Sequence, residues 1–440
     1  MSYLKKTILL IALLHLVVTV YGYSFSVQNS DGKLIYYNIT NSSQKTVEVT
    51  CLNSYASSNA KAYEGVVTIP SMVLYNGINY TVTSIGSSAF AGCTDLTSVK
   101  LPSTLTSIGN SVFSGCSSLE SLTIPASVTL IGTNSYSTSS NTFNGCTGLK
   151  TLVFEDGETT ITIGEGYYSY NTSSSNEGMF YDCPLESVYL GRPISFPTYS
   201  SSYSHYYSPF ARNTNIKSIT LGSNLTYIPS YLFYNCSGIT KIDMSKCTAL
   251  STINSYSFYN CTKLASLDLP STLKTIQDYA FYNADALTTL TIPSSTTMIG
   301  DYAFYDCDSL KTVDFGNGIV TVEDYAFSSC SALTSADFSK SVALKTIGYN
   351  AFSDCLELKN ANFTNCVELT SIGNSAFSNC SSVTSFDLSN CTKITTLNPL
   401  TFAGCTGLTS VKLPSTLTSI GNGVFSGCSS LESLTIPASV

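Results

Sequence analysis

The sequence has little charge and no concentration of positive charge. Asp, Glu, Lys and Arg make up 11% of the 440 residues, against about a quarter in an ordinary soluble domain. Acidic residues outnumber basic ones by 28 to 20, which gives a net charge of −8, and the only basic cluster is the pair Lys5 and Lys6. A protein that binds nucleic acid needs clustered Lys and Arg to neutralise phosphates. We therefore exclude a nucleic-acid partner.

Histidine is almost absent, and the residue patterns of common active sites are missing. Of the two histidines, His15 lies in an apolar N-terminal run and His205 in a stretch rich in Tyr and Ser. The sequence contains no G-x-S-x-G elbow, no H-E-x-x-H motif and no phosphate-binding loop, and no cysteines at the close spacing of zinc sites. We expect no enzyme, no cofactor, no metal site and no small-molecule substrate, with a hydrolase as a weak third hypothesis.

Residues 1–22 have the pattern of a secretory signal peptide. A positive pair precedes an almost unbroken apolar run over 8–20, and the small residues Val20 and Gly22 suit cleavage near Tyr23. The run is shorter than the roughly 20 residues that a membrane helix needs, so a transmembrane anchor is the less favoured alternative. We expect the mature chain to be secreted or held at the cell surface.

The main feature of the sequence is a recurring phrase, L-x-x-V-x-L-P-x-x-L-x-x-I-G-x-x-A-F-x-x-C. Most copies are 23 or 25 residues apart, within the period of leucine-rich repeats. The phrase is marked by a phenylalanine, the repeat Phe, which occurs fourteen times: Phe90, Phe113, Phe143, Phe180, Phe210, Phe233, Phe258, Phe281, Phe304, Phe327, Phe352, Phe377, Phe402 and Phe425.

Each phrase predicts one short strand and one tight turn. Val99 and Leu101 alternate with Lys100, so the first two should face inward and the lysine outward. Pro102 should end the strand because it cannot donate to a ladder. The segment 110–116 should form a short helical or 3₁₀ turn. No single repeat can bury its own apolar face, so neighbouring repeats must stack.

This pattern resembles the BspA-like class of leucine-rich repeats, known from surface proteins of bacteria and parasitic protists. The resemblance covers about residues 81–440. It implies an α/β repeat fold that is mostly β, a right-handed leucine-rich-repeat solenoid with short parallel strands on its concave face and short helical or 3₁₀ turns opposite. We interpret 23–80, with its Asp31-Gly32 turn, as a β-rich N-terminal cap; a separate small domain is the alternative.

Three inserts lengthen the repeats between Phe113 and Phe210. They lie at about 133–142, 155–178 and 191–208 and are rich in Ser, Tyr and Asn. This composition is that of adaptable recognition loops. A solvated, low-complexity decoration is the alternative, and we favour it.

The cysteines follow the repeat rather than a disulfide framework. Twelve of the sixteen stand three residues after a repeat Phe, and the two exceptions at that position are Asn213 and Ala284. A buried cysteine acts as a small apolar residue and weak donor. We therefore expect a ladder of buried free thiols. Cys366 and Cys391, one repeat apart, are the pair most suitable for a disulfide if any forms.

Aspartates recur at the outward strand position in the second half of the chain. We predict that they form an acidic strip on the concave sheet, although like charges in register reduce stability. Such a strip would bind a basic partner or Ca²⁺; alternatively, each Asp supports the bend at the end of its strand. The five candidate binding residues, called the acidic strip below, are Asp243, Asp268, Asp314, Asp337 and Asp387.

The resemblance implies an extracellular or cell-surface binding protein. It would be adhesin-like and recognise a protein or glycan on host cells, matrix or other microbes through the solenoid surface. A structural, self-assembling coat component is the alternative. Because Val440 follows a strand without the turn that should cover it, we expect the protein to continue beyond it, into a membrane or wall anchor.

Overall fold

The computed structural model describes residues 22–52, 62–132, 142–164, 178–197 and 208–440. The chain forms two compact units, Met1–Ile216 and Lys217–Val440, called the N-terminal and C-terminal units below. The predicted signal peptide lies outside the described residues except for Gly22.

Each repeat contributes two short strands, because the phrase has two places where small groups of residues alternate between buried and exposed positions. The V-x-L segment forms a strand of the first sheet, and the Ser/Thr-Ile pair before the repeat Phe forms a strand of the second sheet. In the N-terminal unit the strands are β1 (Phe25–Gln28), β2 (Leu34–Asn41), β3 (Thr46–Thr50), β4 (Gly65–Thr68), β5 (Met72–Tyr75), β6 (Ile78–Ile85), β7 (Leu96–Lys100), β8 (Ser107–Ile108), β9 (Ser121–Ile124), β10 (Leu130–Ile131), β11 (Thr151–Phe154), β12 (Ile161–Ile163), β13 (Ser187–Leu190) and β14 (Ile194–Ser195).

The C-terminal unit repeats this scheme, with odd-numbered strands in the first sheet and even-numbered strands in the second. Its strands are β15 (Ser218–Leu221), β16 (Tyr227–Ile228), β17 (Lys241–Asp243), β18 (Thr252–Ile253), β19 (Ser266–Leu267), β20 (Thr275–Ile276), β21 (Thr289–Thr291), β22 (Met298–Ile299), β23 (Thr312–Asp314), β24 (Thr321–Val322), β25 (Ser335–Asp337), β26 (Thr346–Ile347), β27 (Asn360–Asn362), β28 (Ser371–Ile372), β29 (Ser385–Asp387), β30 (Thr396–Leu397), β31 (Ser410–Lys412) and β32 (Ser419–Ile420).

The repeat strands pair in parallel, and equivalent residues of successive repeats are partners. Ile85 pairs with Ile108, and Ile108 with Ile131, so the inward isoleucines of the second sheet form a continuous buried row. The N-terminal segment continues both sheets: β3 pairs with β6, which pairs with β8, and β4 pairs with β7. Strands β1, β2 and β5 add antiparallel pairings.

The segment around each repeat Phe forms the third side of a repeat, and its hydrogen bonding differs from our expectation of a helical or 3₁₀ turn. Every second N–H donates to the next repeat: the N–H groups of Phe258 and Asn260 reach the carbonyl oxygens of Ala280 and Tyr282 at 2.9 and 2.8 Å. The N–H groups between them donate three residues back. Left-handed residues, such as Asn260 with φ of 60°, interrupt any helix.

In the described part of the chain neither α- nor 3₁₀-helix is formed. Within those ranges, accordingly, no helix has the length and apolarity to cross a membrane. The mostly-β, leucine-rich-repeat solenoid that the sequence predicts is confirmed. The helical turns of the expected α/β repeat are replaced by consecutive tight turns that bond to the next repeat.

The core is a column of stacked phenylalanines. From Phe233 to Phe402 in the C-terminal unit, successive repeat Phe rings lie 5.2–6.1 Å apart between centroids, and all of these rings are fully buried. In the N-terminal unit Phe90, Phe113 and Phe143 stack at 5.5 Å. Each buried ring stabilises the fold by about 2–3 kcal/mol, and each stacked pair adds about 1 kcal/mol.

The cysteines form the expected ladder of free thiols. All sixteen are free. Of the twelve thiols that stand three residues after a repeat Phe, ten donate to the carbonyl oxygen of the preceding repeat Phe, as Cys330 does to Phe304 at 3.2 Å. Cys366 and Cys391 are also free: their thiols point back to the carbonyl oxygens of Phe338 and Phe363 at 3.4 and 4.0 Å. The disulfide that we considered for this pair is therefore not formed.

Asn213 replaces cysteine in one repeat of the N-terminal unit and donates two hydrogen bonds where a thiol donates one. Its side-chain amide donates to the carbonyl oxygens of Phe180 and Cys183 at 2.9 and 2.7 Å, and the residue is buried. Either a thiol or an amide can therefore supply a hydrogen-bond donor at this corner, whereas Ala284 fills it in one repeat of the C-terminal unit without any side-chain donor.

Replacing Asn213 by Ala should lower the free energy of unfolding by about 2–3 kcal/mol, because two buried carbonyls lose their donor. Asn213→Cys should recover part of this loss, since a thiol occupies the same corner in other repeats. Urea unfolding followed by far-UV circular dichroism measures both. Equal midpoints for wild type and Asn213→Ala would show that the corner needs no donor.

Candidate binding surfaces

The acidic strip lies on the outward face of the first sheet of the C-terminal unit. Asp243, Asp314, Asp337 and Asp387 are the last residues of β17, β23, β25 and β29, and Asp268 directly follows β19. Asp314 and Asp337 are partners in the ladder. Ile242 pairs with Leu267, which places Asp243 beside Asp268. The structure thus brings four of the five predicted residues together as two neighbouring pairs.

Four of the five carboxylates also support the bend at the end of their strand. The backbone N–H two residues further on donates to the carboxylate of Asp243, Asp314, Asp337 and Asp387 at 2.9–3.1 Å. Asn362 accepts the same bond from Thr364 at 3.1 Å. Asp268 differs because the residue two positions on is Pro270, which has no N–H to donate.

Lysines neutralise part of the strip. Lys340 pairs with Asp314 at 2.9 Å and Lys412 with Asp387 at 2.8 Å, and these lysines hold the pKa of both carboxyls below its ordinary value. The hydrogen bond from Ser245 likewise lowers the pKa of Asp243. Among the described residues no lysine lies within ion-pair distance of Asp268 or Asp337, and both are exposed.

Shallow, open grooves run beside the strip. One is lined by Asp243, Asp268 and Thr248, a second by Asp268 and Thr291, and a third by Asp314 and Lys340. In the part of the chain that the structure describes, no three His, Cys, Asp or Glu side chains converge as metal ligands would, whereas Ca²⁺ takes six to eight oxygens. The open form suits a surface of another macromolecule.

The hydrogen bond at the bend can be separated from the charge at Asp337. Asp337→Ala should lower the free energy of unfolding by about 1 kcal/mol, because the N–H of Ser339 loses its acceptor. Asp337→Asn keeps an acceptor, as Asn362 does in the next repeat, and should unfold at the wild-type midpoint. Urea titration of both variants tests this, and equal loss in both would assign the effect to charge.

The predicted recognition inserts fall largely outside the described residues. Residues 133–141, 165–177 and 198–207, with His205, are not described. One described member of the third insert, Arg192, is fully buried and donates to the carbonyl oxygens of Pro125, Ala126 and Val128 at 2.6–2.8 Å. Burial lowers the pKa of Arg192 to about 10, so it stays protonated and holds a neighbouring repeat in place.

A second surface of the C-terminal unit, the tyrosine face, did not emerge from the sequence analysis. It consists of two columns of stacked rings, one two residues before the repeat Phe and one directly after it. The signal was present as Y-x-F-Y in four consecutive repeats. The columns are Tyr231, Tyr256, Tyr279, Tyr302 and Tyr325, and Tyr234, Tyr259, Tyr282 and Tyr305.

A row of aspartates borders the tyrosine face. Asp278, Asp301 and Asp324 precede Tyr279, Tyr302 and Tyr325 in the chain. The carboxylates of Asp278 and Asp301 each accept the N–H of the next aspartate in the row, at 3.1 and 3.0 Å. Burial, together with the charges of its two neighbours, raises the pKa of Asp301.

This row gives a pH-dependent prediction. A raised pKa means that the fold disfavours the ionised form of Asp301, so its stability contribution is complete below the ordinary pKa of 3.8 and declines as pH rises through the folded value. Asp301→Asn keeps the acceptor without the charge. Its melting temperature should exceed that of wild type near neutral pH, and the difference should vanish in acid. A constant difference at every pH would exclude the charge as the cause.

Comparison with known proteins places the chain among repeat proteins of one type. The model described as BspA type Leucine rich repeat region matches in six copies, over residues 59–205, 139–251, 178–309, 251–369 and 342–440. A leucine-rich repeat protein from Bacteroides ovatus is 26% identical, with 95% of this chain and 96% of that chain covered and a TM-score of 0.60. A leucine-rich cell surface protein from Faecalibacterium prausnitzii is 21% identical, with 93% and 94% covered and a TM-score of 0.34. No curated protein matches the sequence.

Proposed function

The chain belongs to the BspA-type leucine-rich repeat family, and from that premise we propose that it is an adhesin-like binding protein of the cell surface or extracellular space. Proteins of the leucine-rich repeat class generally bind other proteins and are generally not enzymes. The proposed partner is a protein with a basic surface on host cells, matrix or other microbes. The basic pair and apolar run before residue 22 support export.

One observation carries this proposal: the acidic strip keeps exposed carboxylates on a sheet face bordered by open grooves. Asp268 and Asp337 are exposed and have no lysine partner among the described residues. Asp268 supports no bend, so its charge has no structural task of that kind. Carboxylates in this setting pair well with Arg and Lys of a partner and fix its register. A glycan partner would not need this charge.

The test replaces all five strip aspartates by Asn in the full chain. Binding of fluorescent monomers to cultured epithelial cells and to reconstituted basement-membrane matrix should weaken at least about tenfold, while the bends keep their acceptors. The control removes the same number of charges at acidic residues of the C-terminal unit that lie outside the acidic strip and outside the segments of the repeat Phe from Phe233 to Phe327, namely Asp308→Asn, Asp354→Asn, Glu357→Gln, Glu368→Gln and Glu432→Gln. It should bind as wild type does.

Three outcomes would contradict the proposal. If the strip variant binds as wild type does, the strip takes no part in recognition. If the strip variant and the control variant lose affinity equally, only the net charge of the protein matters. Multimers of the wild-type protein without any ligand would favour a self-assembling coat instead.

Three carboxylates of the strip give a pH-dependent prediction. Hydrogen bonds and lysines lower the pKa of Asp243, Asp314 and Asp387, so these three should stay ionised from neutral pH down to about the ordinary pKa of a carboxyl. Replacing only these three by Asn should therefore weaken binding by the same factor at every pH in that range, as a titration of cell binding against pH measures. A factor that shrinks as the pH falls toward that value would show that they titrate earlier.

A further inference from the structure

The tyrosine face consists of stacked rings, and part of each side chain is accessible to solvent. Successive rings in each column are nearly parallel, with centroids 4.4–4.9 Å apart, so the flat faces are covered by neighbouring rings. All nine side chains are half-buried. Burial raises the pKa of Tyr282 to about 12, so its hydroxyl stays a donor at neutral pH.

The fold does not require tyrosine at these positions. The column before the repeat Phe has left-handed backbone, with φ of 55–63° from Tyr231 to Tyr325, which is unfavourable for a bulky residue. Ser88, Ser111 and Ser375 occupy the equivalent position with φ of 53–60°. Tyrosine therefore adds a surface that other repeats lack, and serine is a matched replacement for it.

The tyrosine face is acidic. The segments that carry it are 229–236, 254–261, 277–284, 300–307 and 323–330, and they contain no Lys or Arg. They contain five acidic residues: Asp278, Asp301, Asp306, Glu323 and Asp324. Burial raises the pKa of Asp306 and Glu323, so these carboxylates gain from a cationic partner that neutralises them.

The spacing of the rings matches one backbone conformation. Two steps along the first column, from Tyr256 to Tyr279 and on to Tyr302, measure 4.6 and 4.7 Å and span about 9.3 Å. A polyproline II helix rises about 3.1 Å per residue and has three residues per turn, so its turn is also about 9.3 Å. The two-residue period of a β-strand, about 6.7 Å, and the helical pitch of about 5.4 Å do not match.

We propose that the tyrosine face binds a proline-rich, arginine- or lysine-containing protein segment in the polyproline II conformation. Proline-rich segments dock on aromatic surfaces because their conformation is already ordered before binding. Here each turn of the ligand advances by two repeats, its prolines contact ring edges, and its carbonyl oxygens accept bonds from tyrosine hydroxyls. Its basic side chains pair with the aspartate row. This surface is separate from the acidic strip, and its role does not depend on the strip.

The test uses the full chain and two labelled dodecapeptides of equal charge, four Pro-Pro-Arg triplets and four Gly-Ser-Arg triplets. Fluorescence anisotropy should show saturable binding of the proline peptide, at least about tenfold tighter than the glycine–serine peptide. The chain contains no tryptophan, so its intrinsic fluorescence comes from tyrosine and should change on binding.

Three variants locate the binding. The triple variant Tyr256→Ser, Tyr279→Ser and Tyr302→Ser should lose at least about tenfold in affinity, as should Asp278→Asn with Asp301→Asn and Asp324→Asn. The strip variant with five Asn residues should bind the proline peptide as wild type does. If the serine variant does not fold, as judged by circular dichroism, Tyr259→Phe with Tyr282→Phe and Tyr305→Phe removes only hydroxyls and should still weaken binding.

Several results would overturn the proposal. Equal affinity for the two peptides would show that only their charge is recognised and not the polyproline II conformation. Wild-type affinity in the folded tyrosine variants would show that the peptide binds at another surface. No binding of the proline peptide, together with saturable binding of oligosaccharides that the tyrosine variants lose, would assign the face to glycans instead.

Discussion

The described repeats depend on their neighbours for part of their backbone hydrogen bonding. On the side that carries the repeat Phe, every second N–H donates to the next repeat, as Phe304 does to Ala326 at 2.8 Å and Asp306 to Ser328 at 3.0 Å. The repeat Phe rings stack across the same boundary, and the thiols bond across it in the other direction. Stability in each unit is therefore mainly a sum of interfaces between neighbours, and every other feature must fit a spacing of about 5 Å.

Because equivalent residues of successive repeats lie side by side, a residue type that recurs at one repeat position forms a row along the sheet. An aspartate at one outward position becomes a row of like charges, which reduces stability unless the carboxylates do something else. Here two acidic rows are each tied to the backbone, but differently. The strip aspartates accept an N–H from their own bend, as Asp337 does from Ser339, whereas Asp278 accepts one from the next repeat. A carboxylate with neither task, such as Asp268, is the clearest candidate for recognition.

The sequence predicts the repeat, both faces of the strands, the phenylalanine column and the thiol ladder, because each depends on a residue type recurring at a fixed spacing. What it misses depends on contacts between repeats. The turn near the repeat Phe was expected to be helical, since its partner N–H groups in the next repeat have no sequence signature. Left-handed Asn260 and Asn283 did leave a signal, as Asn tolerates this conformation.

The sequence predicts where the acidic strip lies, but only part of what its carboxylates do. The five aspartates lie where expected, and the bond that Asp314 accepts from the N–H of Gly316 shows that it also supports a bend. The tyrosine face was overlooked because stacking between columns follows from the three-dimensional register. Buried Arg192 could not have been interpreted without the three carbonyls around it, which lie more than sixty residues away in the chain.

The thiol ladder determines how sensitive the protein is to oxidants and reductants. Burial raises the pKa of Cys366 to about 12 and that of Cys391 to about 11, so thiolate, the species that attacks disulfides and is oxidised by peroxides, is scarce near neutral pH. The sulfur atoms serve as hydrogen-bond donors between repeats rather than as covalent links. Because no disulfide joins the described residues, reducing and oxidising surroundings should leave the fold unchanged, and its maturation should not need a disulfide-forming catalyst.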